Sequence, residues 1–183
     1  SRLLLPAFIF TLSIVSYAQE VITTDTHRLD QVADGVYFAT GTGDIYTMSN
    51  ALIIEREDDI VIVDSHITPA AGRALLDSIR TVSDKPVTTL INSHFHYDHS
   101  NGTPAFGDDL EIIGHEVTYE KLTGDPENEH TYQSSLRRFD NTVARLESEL
   151  ANATDAGERL QIENQLNYWR RHVEAQSEII FTP

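Results

Sequence analysis

Cysteine is absent from this chain of 183 residues. That excludes disulfides, thiolate zinc sites and cysteine nucleophiles, and it leaves the redox compartment unread. Basic residues are scarce. Thirteen Lys and Arg stand against 29 Asp and Glu, for a formal net charge of −16. A chain this acidic lacks the clustered positive charge that grips a phosphate backbone, so no nucleic-acid partner is expected and the acidity reads as solubility. Long apolar runs are also few. The run from Leu3 to Val15 is broken by Pro6, Thr11 and Ser13 and is too short for a comfortable transmembrane span. With Arg2 before it and Ser16-Tyr17-Ala18 after it, the stretch has the form of a secretory signal peptide over residues 1–18, cleaved after Ala18. A periplasmic or secreted protein with no stable span after cleavage is therefore expected, an uncleaved anchor being the alternative. Because residue 1 is Ser and not Met, the extreme N-terminus is expected to lie upstream. What is present suits a folded protein: hydrophobic residues make up 40 %, in a length that fits one domain or part of a larger one.

From residue 19 to Asp34 the chain reads as a polar lead-in. "GVYFAT", "MSNALIIE" and "IVIVD" then read as strands, the last a nearly continuous apolar run of the kind found in buried sheets. Thr68 as N-cap and Pro69 at the first helical position open a helix whose Leu75, Leu76, Ile79 and Val82 share a face. "PVTTLINS" is the next strand, and "LEIIGHE" is another short one leading into a helix. Further on, Leu136, Phe139, Val143, Leu146 and Leu150 recur at helical spacing, as do Leu160, Leu166, Trp169 and Val173. "NATDAGE" breaks them, with Asp155 as N-cap and Glu158 three residues later. The pattern predicts a helical hairpin over residues 131–177. Its stripes serve helix–helix packing or, in the sharper reading, a homodimer surface. "EIIFTP" at the end reads as the start of a strand.

The chemistry concentrates in "HFHYDH", His94 to His99, which holds three of the eight histidines plus an aspartate. Alternate residues of an extended or irregular loop point the same way, so His94 and His96 can converge on one ion, while Asp98 and His99 can hold a second nearby. Imidazole and carboxylate without thiolate suit zinc; iron and manganese share these ligands. For a lone His-x-His pair a solvated loop would be the simpler reading. The combined pattern stands directly after a buried strand, where open α/β sheets place their ligands, and there it reads as a metal site.

His-x-His-x-Asp-His after a strand, downstream of a strand ending in Asp, resembles the metallo-β-lactamase-fold metallohydrolases. The likeness rests on "INSHFHYDHSNG", with "SNALIIEREDDIVIVDS" and "TPAAGRALLDSI" upstream, and covers about residues 35–120. It implies an α/β (α+β) fold: a partial αββα sandwich, residues 19–183 forming its N-terminal part, with the hairpin as an insertion. It implies His94 and His96 on a first zinc, Asp98 and His99 on a second, and two ions per full-length protein. Asp64 would orient a ligand or the loop; alternatively it is a strand-end carboxylate that satisfies backbone donors. Asp98 would also position the nucleophile's proton. His99 directly after Asp98 resembles the branch without a cysteine ligand, which includes thioesterases, lactonases and one class of β-lactamases. The implied reaction is attack of metal-bound hydroxide on the carbonyl of a small-molecule ester, thioester, lactone or lactam. The further ligands of that family are not matched here. His115, His130 and His172 read as non-ligands, so the remaining ligands are expected beyond residue 183 and the piece alone is expected to be inactive. Two rival functions are a β-lactamase proper and a non-catalytic metal-binding protein assembled through its hairpin.

Overall fold

The structure, a computed structural model, describes residues 20–182; the signal-peptide stretch over residues 1–18 lies outside them. Among the described residues seven strands form one sheet in sequence order: β1 (Val21–Thr23), β2 (His27–Ala33), β3 (Val36–Gly41), β4 (Ala51–Glu55), β5 (Ile60–Val63), β6 (Val87–Asn92) and β7 (Glu111–Gly114). β1 to β5 run antiparallel to their neighbours, whereas β5, β6 and β7 are mutually parallel. The crossover from β5 to β6 is α1 (Pro69–Ile79), opened by Thr68, whose hydroxyl accepts from the Ala71 amide. The crossover from β6 to β7 is short: α2 (Tyr97–Ser100) and a 3-10 turn at Thr103–Phe106.

β1 and β2 correct the reading of residues 19–34 as a lead-in. β2 points His27 and Leu29 inward, both fully buried, so a buried imidazole stands where an apolar residue would have announced the strand. The helical face also ends earlier than expected. α1 stops at Ile79, and Val82 packs against the core from the turn beyond it.

Tyr37, Ile53, Ile62, Leu90 and Ile112 align across the sheet and pack with Leu75 and Ile79 of α1 to form the main core. On the opposite face Phe38, Leu52, Val63, Ile91 and Ile113 form a second apolar row. That row is only partly covered, with Phe38 37 % and Ile113 46 % exposed. A sheet that is apolar on both faces belongs inside a layered α/β architecture.

β7 leads into α3 (Glu116–Thr123). Then α4 (His130–Asn152) and α5 (Ala156–Gln176) form the hairpin, with the Asp155 carboxylate capping α5 through the Glu158 amide at 2.9 Å. Neither long helix would be more than marginal alone in water. They cover each other through Leu146, Ile162 and Leu166, and through Phe139 stacked on Trp169 at 5.9 Å between ring centroids. The base of the hairpin packs on Tyr46, Ile67 and Tyr97, the last inside the histidine motif, and the Tyr97 and Tyr132 rings lie 5.5 Å apart. The segment read as a terminal strand is not one: Glu178–Thr182 carries no strand, and Ile179 and Phe181 pack against the hairpin base instead.

Two glycines let α1 meet the motif loop. A Cβ on Gly102 would stand 1.7 Å from the Ser65 carbonyl oxygen, and one on Gly72 would stand 2.4 Å from the Gly102 carbonyl oxygen. Both obstacles are backbone, so they yield only if the two loops part. Gly102→Ala is therefore expected to cost about 1–3 kcal/mol or more. Chemical denaturation checks this, and a midpoint equal to that of the unaltered protein would contradict the packing.

Candidate metal centre

β5 and β6 are parallel, so their C-terminal ends lie side by side, and each runs straight into a polar loop. Backbone bonds tie the loops together: Asp64 N–H to Ile91 O at 2.9 Å, Ser65 N–H to His99 O at 2.8 Å, and Gly102 N–H to His66 O at 3.0 Å. The local backbone is unusual. Met48, Asp64 and His66 all have positive φ, of 61°, 65° and 72°. Such conformations are costly for side-chain-bearing residues and persist where the surroundings impose them.

Asp64 is the hub. Its Oδ1 accepts from the Ser93 amide at 2.8 Å, and its Oδ2 accepts from the Ser93 hydroxyl and from His99 Nδ1, each at 2.8 Å. The Ser93 proton is thereby spoken for, so Ser93 Oγ accepts from His94 Nδ1, 3.0 Å away. Both imidazoles are thus held by Nδ1, one directly by Asp64 and one through Ser93. His94 keeps an unprotonated Nε2, and His99 turns its Nε2 to Asp98 Oδ2 at 3.4 Å. The His94 ring lies 4.7 Å from the His96 ring and 4.2 Å from the His99 ring, centroid to centroid. His96 is the N-cap of α2, and Asp98 sits in the first turn of that short helix. The structure thus brings His94, His96, Asp98, His99 and Asp64 into one cluster. His115 instead caps α3, His130 begins α4, and His172 is buried among Tyr46, Phe139 and Trp169.

The electrostatics follow from this pairing. Burial alone would lower the pKa of His99, but its bonds to Asp64 and Asp98 and their charges lift it to about 9. Burial pushes both carboxyls up, yet His99 and nearby donors hold Asp64 and Asp98 below the usual carboxylate range. Burial, with the neighbouring His99 and His96, holds His94 below the ordinary imidazole value. Among the described residues no three His, Asp or Glu side chains are gathered as a ready metal site. The donor types and the Nδ1 anchoring nevertheless fit a metal ion, since a carboxylate on one ring nitrogen commonly orients the other toward a metal.

Sequence reasoning overlooked His27, His66, Ser49 and Ser93. Ser93 was readable as the first polar residue after a buried strand. His66 was signalled only by standing two residues past a strand-ending Asp.

Residues 45–161 match the family described as "Metallo-beta-lactamase superfamily". A linear primary-alkylsulfatase of Pseudomonas sp. (strain ATCC 19151) is 35 % identical over 65 residues, which is 36 % of this chain and 12 % of that protein. The 2,4-dinitroanisole O-demethylase subunit beta of Nocardioides sp. (strain JS1661) is 36 % identical over 67 residues, 36 % of this chain and 21 % of that protein. The chain thus spans a small fraction of these curated relatives. Among solved structures, the stereoselective inverting sec-alkylsulfatase of Pseudomonas sp. superposes with a TM-score of 0.50 at 24 % identity, covering 61 % of this chain and 18 % of that one, a likeness of fold. The family match takes in more than half of the chain and contains the whole histidine motif, so the chain belongs to the metallo-beta-lactamase superfamily.

Proposed function

We propose that the full-length protein is a zinc-dependent hydrolase cleaving an ester, thioester, lactone or lactam. His94 and His96 hold a first ion; Asp98 and His99 hold a second. One observation supports this above the others: His94 and His99 are both anchored by Nδ1, which leaves Nε2 of each ring as the atom for a metal, that of His99 lying 3.4 Å from Asp98 Oδ2. Zinc bound there supplies an acidified water at neutral pH and positive charge for the oxygen that becomes negative. The chain's own residues do the rest. Asp64 fixes the rings, and Asp98 positions the nucleophile's proton. Metal uptake must displace the His99 proton, so zinc affinity should rise with pH up to about 9. The base of the hairpin, held to the motif through Tyr97 and Tyr132, shapes access for a small-molecule substrate. Homodimerisation through the hairpin is the competing use, and export to the periplasm or medium remains part of the proposal.

A second reading is favoured by the alkylsulfatase relatives: the same centre cleaving a sulfate ester. A β-lactamase proper, or a metal-binding protein without turnover, are the remaining alternatives. Purified full-length protein should contain close to two zinc ions. It should hydrolyse at least one substrate in a panel of nitrophenyl ester, thioester, lactone, β-lactam and alkyl sulfate, lose that activity to chelator and regain it with zinc. His96→Ala should lose both metal and activity. A chelator-indifferent rate in protein that binds no metal would overturn the proposal; metal without turnover on any substrate would favour the binding-only reading.

A further inference from the structure

We infer that His27 and His66 are positioning residues, a buried imidazole pair that holds the backbone of Asp98 in place through the Ser49 hydroxyl. This rests on the metal-centre reading above. His27 (β2) and His66 (the loop after β5) are both fully buried, with Nε2 atoms 3.0 Å apart and rings stacked at 5.1 Å between centroids. His66 Nδ1 lies 3.3 Å from Ser49 Oγ, and the Ser49 hydroxyl bonds the Asp98 carbonyl oxygen.

The direction of every bond in this chain is fixed by one fact: a carbonyl only accepts. The Ser49 proton goes to Asp98, so Ser49 Oγ must accept from His66 Nδ1. His66 Nε2 is then an acceptor, and His27 Nε2–H is its donor. That leaves His27 Nδ1 as an acceptor, and it is flanked by two hydroxyls that can donate, Thr26 at 3.0 Å and Ser78 at 3.1 Å. No atom in the chain is left unsatisfied, and the scheme requires both rings to be neutral. Burial holds both below the ordinary value, His27 at about 4 and His66 at about 3, with His27 also disfavouring charge on His66.

A core position has no need of two imidazoles for packing, because burying polar groups is costly unless each bond is made. Here the cost is linked to a defined output. His27 selects the His66 tautomer that donates to Ser49. Without that donor the other tautomer can take the Ser49 proton, and the Asp98 carbonyl loses its partner. Asp98 sits in the first turn of the short α2, so releasing its carbonyl loosens the carboxylate with it.

The test compares full-length protein with the His27→Phe, His27→Gln and Ser49→Ala variants. Zinc affinity for each ion is read by competition with a chromophoric chelator, and the Asp98 carbonyl 13C signal is read in metal-free protein. Phe removes the donor with little change of volume, whereas Gln keeps an N–H. His27→Phe and Ser49→Ala should leave the first ion unaffected, weaken the second about 10–100-fold and move the Asp98 carbonyl signal; His27→Gln should restore most of both. The inference is overturned if the Asp98 signal stays in place, or if both ions weaken together and His27→Gln fares no better than Phe. Should His27→Phe fail to fold, Ser49→Ala, which removes one hydroxyl, carries the same decision. If the unaltered protein binds no zinc, the metal reading fails on its own while the carbonyl signal still judges the relay.

Discussion

Exchanging Asp98 for Asn in the full-length protein should lower kcat about 10²–10⁴-fold, the usual weight of a positioned proton acceptor. The side chain keeps its size, so the loop keeps its shape. The bonds that organise the loop use the Asp98 and His99 backbone carbonyls, which the exchange does not touch. What is lost is a negative charge 3.4 Å from His99 Nε2 and, in the proposed function, a carboxylate for the second ion. His99 then retains only Asp64 as a charged partner, so its pKa should fall from about 9 toward the ordinary histidine value. Steady-state kinetics on the best substrate, zinc content and a melting curve check this together. Unchanged kcat in a folded variant would remove Asp98 from the chemistry.

Acid should unfold the metal-free protein well before its carboxylates titrate. In the unfolded chain each histidine takes up a proton below a pH of about 6.5. In the folded chain burial delays this to about 4 for His27 and His172 and about 3 for His66. Between those limits the unfolded state binds more protons, so stability falls as pH falls. By pH 5 the loss amounts to about 2 kcal/mol for each histidine, a large share of a domain's net stability. His99 works in the other direction. Its raised pKa supports the fold fully below about 6.5 and loses that support as pH rises to about 9, so it offsets part of the loss between pH 7.5 and 6.5 and adds nothing further below that. Melting temperatures between pH 7.5 and 4.5 in the presence of chelator read the effect. His172→Phe, which keeps an aromatic ring among Tyr46, Phe139 and Trp169, should flatten the slope by about a third. A melting temperature independent of pH down to 5 would show that the three imidazoles are not held neutral.

These two predictions draw on residues that the sequence revealed unequally. The histidine–aspartate cluster was legible because its spacing is dense and it directly follows a buried strand. The hairpin was legible because Leu136 to Val173 repeat at helical spacing and Asp155 is placed to cap. β2 was hidden because "HRLDQVA" buries a histidine where periodicity expects an apolar residue. His66 was hidden because an inward imidazole leaves no trace in a linear pattern; only the fold brings it within 3.0 Å of His27. "EIIFTP" misled in the opposite way. Its β-branched and aromatic residues suit a strand, yet Phe181 meets Tyr132 edge-on at 5.3 Å and Ile179 joins the same helical cluster. Tertiary packing decided that segment, as it does wherever a short apolar run has more than one surface to cover. The role of Asp64 lay between these cases. A carboxylate at a strand end is ambiguous in sequence; in the fold it accepts from the Ser93 amide and from His99 Nδ1.

The decisive question is where metal binds. Anomalous diffraction at the zinc edge, from crystals of the full-length protein grown with zinc, locates the ions without reference to activity. Two peaks are expected, one within bonding distance of His94 and His96 and one within bonding distance of Asp98 and His99, with His99 Nδ1 still on Asp64. Zinc found only elsewhere, or a cluster that stays free of anomalous density at saturating zinc, would contradict the account.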